Sequence, residues 1–298
     1  MSRVWIAASI SFGLALAQPA CGQTPAEVPP PNSANGVPVA DAPRARLLPF
    51  LGEEARKQGY ELPEPFGVGL VYYKLKRDID VKDVRVGRNG ATPTSVSRFA
   101  DLGSTSDVDN LNVKLDAFLL PFLNLYAIAG NIKNRSNTDI NVTLPPLIPG
   151  NPERTFRTTV PTRLDGTVKG VGMALAGAVG PFFGAADVNW AKADLGFDER
   201  FKATIVSARA GWAGTVDSRP LRAWMTVTYW DTFAVAKATV PDPDGGTLTF
   251  EVEQGPKYPY TFGPGFSYSP RKWFDLAVDV GTDGHGGWYA AVVPVLRF

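Results

Sequence analysis

The stretch Tyr260-Thr261-Phe262-Gly263-Pro264-Gly265-Phe266-Ser267-Tyr268-Ser269 decides the fold. Every even position is bulky and every odd position is Gly, Thr or Ser. A period of two puts the two sets on opposite faces of a strand. The alternation recurs at Phe274, Leu276, Val278 and Val280, at Leu221, Ala223, Met225, Val227 and Tyr229, and at Phe66, Val68, Leu70 and Tyr72. Each run is about ten residues long, the length a tilted strand needs to cross a bilayer.

A water-soluble sandwich keeps large side chains in its core and polar ones in water. Here the small face also carries the charges. Gly170, Gly172, Ala174 and Ala176 accompany Val171, Met173 and Leu175, and Asp187 and Asn189 sit opposite Val188 and Trp190. A tight polar lumen with lipid outside accounts for both faces. The uncharged run Gly170 to Ala186 is interrupted by five glycines and breaks at Gly180-Pro181. It therefore reads as two strands about a tight turn rather than as a spanning helix. With no other spanning helix, closed strands are the remaining way through a membrane.

Working outward gives segments 66–76, 110–120, 123–132, 167–179, 182–193, 201–214, 221–232, 259–268, 273–281 and 287–298. The expected fold is all-β: a transmembrane antiparallel up-and-down β-barrel of about ten strands, with a short N-terminal helix. Connections near 121, 180, 217 and 271 are tight, whereas 77–109, 133–166 and 233–258 are long and polar, so the long ones fall on one side. Val81–Val86 and Thr247–Val252 are either rim extensions or an added pair making twelve strands. Tyr72, Trp190, Tyr229, Tyr260 and Trp288 fall near one end of the strands. Phe122, Phe182, Trp212, Tyr268, Trp273 and Phe298 fall near the other, as two interfacial girdles do.

The first residues read as export and linker segments. Arg3, the apolar run Val4 to Ala17 and the small-x-small sites at Ala15-Leu16-Ala17 and Ala20-Cys21-Gly22 fit a secretory signal peptide over 1–22. Cys21 is alternatively a lipid-attachment site, although Gln18-Pro19-Ala20 before it matches that motif poorly. Residues 23–43 are a Pro-rich linker. Residues 44–65 carry Leu47, Leu48 and Leu51 followed by Glu53, Glu54, Arg56 and Lys57, an amphipathic helix that either plugs or braces one mouth of the barrel. Residues 66–298 are the barrel.

Composition narrows the function. Thirty basic residues against twenty-nine acidic ones give a net charge of +1, with no basic footprint for nucleic acid. One Cys and one His leave no internal disulfide, thiolate cluster or two-imidazole metal site, so no metal or other cofactor is expected. Lys114, Asp116, Asp187, Arg209, Arg222, Asp275, Asp279 and Arg297 project inward in this register. Intramembrane charges of mixed sign either pair structurally or line a solute path.

The chain ends in Phe298, with Leu296, Pro294 and Val292 at alternate positions before it. Together with the leader, this resembles the C-terminal strand signature of Gram-negative outer-membrane barrels. The resemblance is to a class, not to one functional family. It implies export to the outer membrane and recognition of Phe298, Leu296 and Val292 by barrel-assembly machinery after escort by periplasmic chaperones. It also implies contact with outer-membrane lipid. A monomer is expected.

The leading functional expectation is a narrow, porin-like channel or carrier for small solutes. The alternative is a non-transporting structural or surface-binding barrel with long loops. A second alternative is a rim hydrolase using His285 and Asp283 with Asp107 and Asp109. That set is loosely similar to the omptin proteases, but Asp-x-His falls here in the last loop, and the chain is not expected to be an enzyme.

Overall fold

The computed structural model describes residues 48–57, 62–95, 100–144, 154–195, 201–241 and 246–298. The signal peptide, the linker and Cys21 lie outside these residues. The elements are α1 (Gly52–Lys57), β1 (Phe66–Arg88), β2 (Thr94–Ser95), β3 (Ala100–Leu120), β4 (Leu123–Leu144), β5 (Arg154–Val179), β6 (Phe182–Asp194), β7 (Phe201–Val216), β8 (Arg219–Pro241), β9 (Thr247–Pro256), β10 (Tyr260–Arg271), β11 (Phe274–Thr282) and β12 (Trp288–Arg297).

Ten of these strands pair antiparallel in the order β1-β3-β4-β5-β6-β7-β8-β10-β11-β12, and β12 returns to β1. The wall is a closed ten-stranded barrel. Phe66 and Phe298 fasten the closure: each backbone N–H donates to the other's carbonyl, and their rings stack with centroids 6.1 Å apart. Closure satisfies the backbone of every wall strand without an edge, which a lipid environment demands. Two gaps in the wall ladders lie at prolines whose rings face lipid. The β1–β12 ladder skips from Gly69↔Val295 to Tyr72↔Val292, across Pro294. The β10–β11 ladder skips from Phe262↔Thr282 to Gly265↔Asp279, across Pro264. Proline has no N–H to donate, and its other neighbour keeps its pairing at Pro294↔Leu276 and Pro264↔Met225.

Burial follows parity. On β1, Phe66, Val68, Leu70 and Tyr72 are exposed, whereas Val71 and Tyr73 are wholly buried. The outward face continues through Leu111, Val113 and Leu115, Val171, Met173 and Leu175, Met225, Val227 and Tyr229, Phe262 and Phe266, and Val292 and Leu296. A belt of that extent far exceeds the apolar patch a water-soluble monomer exposes. It is the lipid face of a membrane-spanning barrel. The aromatic residues of both expected girdles lie on it, and Tyr229 and Tyr260 are ring neighbours across β8 and β10. Among the described residues, no helix is long and apolar enough to cross a membrane.

The long polar connections are largely strand, which corrects the sequence reading of 77–109, 133–166 and 233–258. β1 runs to Arg88, β4 to Leu144 and β8 to Pro241, while β3 begins at Ala100 and β5 at Arg154. Val81–Val86 is the continuation of β1, and Thr247–Val252 belongs to a separate strand, β9. β9 pairs with β8 at Ala234–Pro241 and with β1 at Ile79–Arg88. It thus stands above the three short strands β10, β11 and β12. β6 and β7 have ended by this level, so the upper sheet runs β5-β4-β3-β1-β9-β8, a six-stranded tower on a ten-stranded base. Polar alternation kept these segments hidden: their inner faces are buried at Ser104, Ser106, Asn134, Ser136 and Gln254, and polar residues on both faces carry little amphipathic signal.

At the opposite end, α1 is a single short helix. The Phe50 N–H just before it donates to the Leu119 carbonyl at the β3–β4 turn, which holds this segment at the rim.

Glycines on the inner face make room for large neighbours. A Cβ at Gly172 would collide with the Tyr126 ring, and one at Gly265 with the Trp224 indole. Gly172→Leu is expected to cost about 1–3 kcal/mol through overpacking. Urea unfolding in detergent, followed by the mobility of unheated protein on gels, measures it. Gly177→Ala, where an added Cβ meets nothing within 4 Å, stays within about 0.5 kcal/mol of the parent.

Candidate functional site

The lumen is occupied by a column of side chains from nearly every wall strand. At the turn-side end, Arg297 on β12 donates from Nη1 to Asp116 Oδ1 on β3 at 3.0 Å. Asn124 Nδ2 donates to the same oxygen at 2.8 Å, and Lys114 Nζ lies 3.6 Å from Asp116 Oδ2. The Arg297 guanidinium also covers the Phe118 ring. One level further in, Lys114 sits 5.0 Å above the Tyr126 ring. The Tyr126 hydroxyl lies 3.5 Å from Asp187 Oδ2 on β6 and accepts from Asn189 Nδ2 at 3.2 Å.

The centre is Arg209 on β7. Its Nη1 donates to Asp187 Oδ1 at 2.7 Å, and its Nε faces Asp279 Oδ2 on β11 at 3.5 Å. Asp279 also accepts from Trp224 Nε1 at 2.9 Å, from Thr226 Oγ1 at 3.1 Å and from the Tyr289 hydroxyl at 2.7 Å. Each carboxylate therefore has several donors, which offsets the desolvation that burial costs it. The charges alternate along the column: Arg297, Asp116, Lys114, Asp187, Arg209, Asp279.

Above this column an aromatic cluster closes the bore. Tyr73 on β1 packs at 5.8 Å from Trp230 on β8 and at 5.9 Å from Tyr289 on β12. Arg77 lies over the Trp230 ring at 5.4 Å and donates to Thr232 at 2.9 Å. Asn110 is the register partner of Tyr73, and higher still the inner face carries Ser106, Asn134, Ser136 and Gln254 beside the buried Val108 and Ile79. From Asp116 to Arg77 no member of the column is more than 5% exposed, so the bore is filled in this state.

Of the eight residues read as inward, Lys114, Asp116, Asp187, Arg209, Asp279 and Arg297 lie in this one network. Arg222 and Asp275 lie at its turn-side fringe, half-buried: Arg222 Nη1 reaches Ser267 at 3.5 Å, and Asp275 accepts from Ser269 at 3.0 Å. Sequence reasoning missed the uncharged members, above all Tyr73, Tyr126, Trp224, Trp230 and Tyr289. Parity places them on the small, charged face, so carrying the alternation through aromatic residues would have found them.

The hydrolase candidates are not brought together in this arrangement. Asp283 caps the β11–β12 turn, its Oδ1 accepting from the N–H groups of His285 at 2.8 Å and Gly287 at 2.9 Å. The His285 ring is stacked on Tyr258 at 3.7 Å, and its Nδ1 contacts the Asp283 carbonyl oxygen rather than the carboxylate. Asp107 and Asp109 project from the outer wall of β3, where Lys74 lies 3.9 and 3.6 Å away and Tyr72 donates to Asp109 at 3.1 Å. Among the described residues no cluster of three His, Cys, Asp or Glu is arranged to hold a metal ion.

No protein-family model and no characterised protein matches the sequence. Solved structures with some likeness include the toluene transporter TbuX of Ralstonia pickettii, at 11% identity and a TM-score of 0.32 over 80% of this chain and 90% of that one. An outer-membrane channel of Pseudomonas putida F1 shows 13% identity and a TM-score of 0.31 over 80% and 97%. The transport unit of the autotransporter AIDA-I of Escherichia coli shows 10% identity and a TM-score of 0.35 over 78% and 90%. Values this low transfer no activity to this chain.

Arg209→Ala leaves the buried Asp187 carboxylate without its paired cation and is expected to cost about 3–5 kcal/mol. Replacing the pair with Arg209→Met and Asp187→Leu costs less than Arg209→Ala alone, because Asp279 keeps three other donors. Urea midpoints of the refolded variants in detergent compare the two.

Proposed function

We propose that this chain is an outer-membrane β-barrel of a Gram-negative bacterium that passes small polar solutes through a gated bore, closed in the state described. The reading rests on one observation: a chain of alternating charges from Arg297 to Asp279 threads the lumen among the buried apolar side chains packed around it. A barrel with only a scaffolding task gains little from ion pairs in its interior, since well-packed apolar residues of similar volume are commonly as stable. Ionised groups within the membrane more often mark a solute path. Buried amide atoms support it further. Neither side-chain polar atom of Asn112 has a hydrogen-bond partner among the described residues, so these atoms are open to bonds from water or a polar solute.

Opening requires the aromatic cluster to part and Arg209 to exchange partners. Both are changes of rotamer, not of wall structure. A second reading, a non-conducting barrel that anchors the six-stranded tower, is favoured by the completeness of the seal.

Planar-bilayer recording separates the two. Refolded protein is expected to give a closed baseline broken by brief openings. Trp230→Ala, which removes the ring packed against both Tyr73 and Tyr289, is expected to raise open probability. Flat traces from both proteins, in samples whose circular dichroism shows folded barrel, overturn the conduit and leave the scaffold.

A further inference from the structure

On the outer wall, the upper border of the apolar belt differs from one side of the barrel to the other. Over β1, β3, β4 and β5, opposite charges face each other across the strands: Lys74↔Asp109, Asp109↔Lys133 and Lys133↔Asp165. Lys74 is in addition within ion-pair distance of both Asp107 and Asp109. That row is neutralised by the protein itself.

Over β5, β6 and β7 the border is built differently. Lys169 stands directly opposite Lys192, and Lys192 directly opposite Lys202. All three point outward and are exposed, and none makes an ion pair with the described chain. Directly opposed residues have Cβ atoms about 5 Å apart, and like charges so placed destabilise a sheet. The flanking members of the row bring no carboxylate: Lys169 faces Ala129 on β4, and Lys202 faces Phe233 on β8. The nearest outward acids, Asp194 above Lys192 and Asp231 opposite Thr204, lie off the row. Below the lysines come Val171, the exposed indole of Trp190 and Thr204, and one step further down Val206 and Met173 continue the lipid face. The three ammonium groups thus stand side by side at headgroup depth, above an interfacial tryptophan, with no counter-charge of their own.

We infer that the Lys169–Lys192–Lys202 row is a binding site for a phosphorylated lipid headgroup in the leaflet at the tower end of the barrel. The apolar strip beneath takes the acyl chains, Trp190 sits at the glycerol or sugar level, and the phosphate oxygens bridge neighbouring ammonium groups. Lipid phosphate supplies the negative charge that the sheet lacks on this side and has on the other. The inference rests on the membrane-spanning reading of the barrel and is independent of whether the bore conducts.

The test uses the full chain refolded into vesicles of phosphatidylcholine alone, or of phosphatidylcholine with either lipid A or dephosphorylated lipid A. Lipid that stays with the protein after detergent extraction and gel filtration is counted by mass spectrometry, and the thermal unfolding midpoint is read in each vesicle. Wild-type protein is expected to retain lipid A, to unfold at a higher temperature in its presence, and to do neither with the dephosphorylated form. Inorganic phosphate in the buffer does not reproduce the shift. The triple variant Lys169→Gln, Lys192→Gln, Lys202→Gln loses at least tenfold in retained lipid A and loses the thermal shift. In phosphatidylcholine alone it is at least as stable as the parent, because mutual repulsion is relieved. Lys74→Gln with Lys133→Gln leaves retention unchanged. Equal retention of both lipid A forms by the wild type, or full retention by the triple variant, overturns the site. A chain that does not float with phosphatidylcholine vesicles overturns the membrane reading and the site with it.

Discussion

The structure depends on one constraint: within the apolar belt no backbone N–H or C=O can turn to water, so the sheet has to close on itself. The β12–β1 seam satisfies it, and the reciprocal bonds between Phe66 and Phe298 fix where the two end strands meet. Once register is set there, parity is set everywhere, because a one-residue slip would turn every lumen side chain towards lipid. Pro264 and Pro294 show how narrow the tolerance is. Each removes one donor, each leaves one gap in a ladder, and both place the ring on the lipid side, where an absent N–H needs no water. The two gaps flank the β11–β12 hairpin, which makes it the least cross-linked part of the wall.

Parity was legible because lipid and lumen are such different solvents. Phe262, Phe266, Leu70 and Val227 have no place in a polar bore, and Asp187, Arg209 and Asp279 have none in lipid, so one strand sufficed to orient its neighbours. The same logic explains what stayed illegible. Above Lys74 and Asp109 the outer face meets water and the buried inner face is itself largely polar, as at Arg77, Ser106, Asn134, Ser136 and Gln254, so the chemical contrast between alternate residues fades and the tower strands of β4, β5 and β9 read as polar connection. Inside the bore, charge identified Arg209 and Asp279 but not Tyr289 or Trp224. Aromatic residues belong equally to a girdle and to a packed lumen, and only the parity of the position separates Trp190, which is outside, from Trp230, which is inside.

The lumen network also bears on how the wall holds its shape. Asp279 on β11 is bonded to residues of β7, β8 and β12, and Asp116 on β3 to residues of β4 and β12. These bonds cross the bore or skip strands, so they brace the cylinder in directions that ladder hydrogen bonds do not. They bear directly on the weakly laddered side, because Tyr289 and Arg297 tie β12 to the column where its seam with β1 lapses at Pro294. Arg209 is therefore both a part of the lumen filling and a brace between β7, β6 and β11.

The seal lies in the membrane rather than in the tower. The outward border between apolar and charged residues falls at Tyr72 and Lys74 on β1, and the inward neighbour at that level is Tyr73, the hub of the aromatic cluster. Everything from Tyr73 and its register partner Asn110 down to Asp116 is thus within the apolar belt, and the polar amides of Asn134 and Gln254 stand above it. The tower is a six-stranded sheet in which one strand, β9, stands over three, and among the described residues no pairing joins its end strands β5 and β8. Its contribution to closure is secondary: a solute admitted past β9 still meets Trp230, Tyr289 and the paired charge of Arg209 and Asp279. The seal is thus built from side chains that the wall itself positions, within the belt rather than above it.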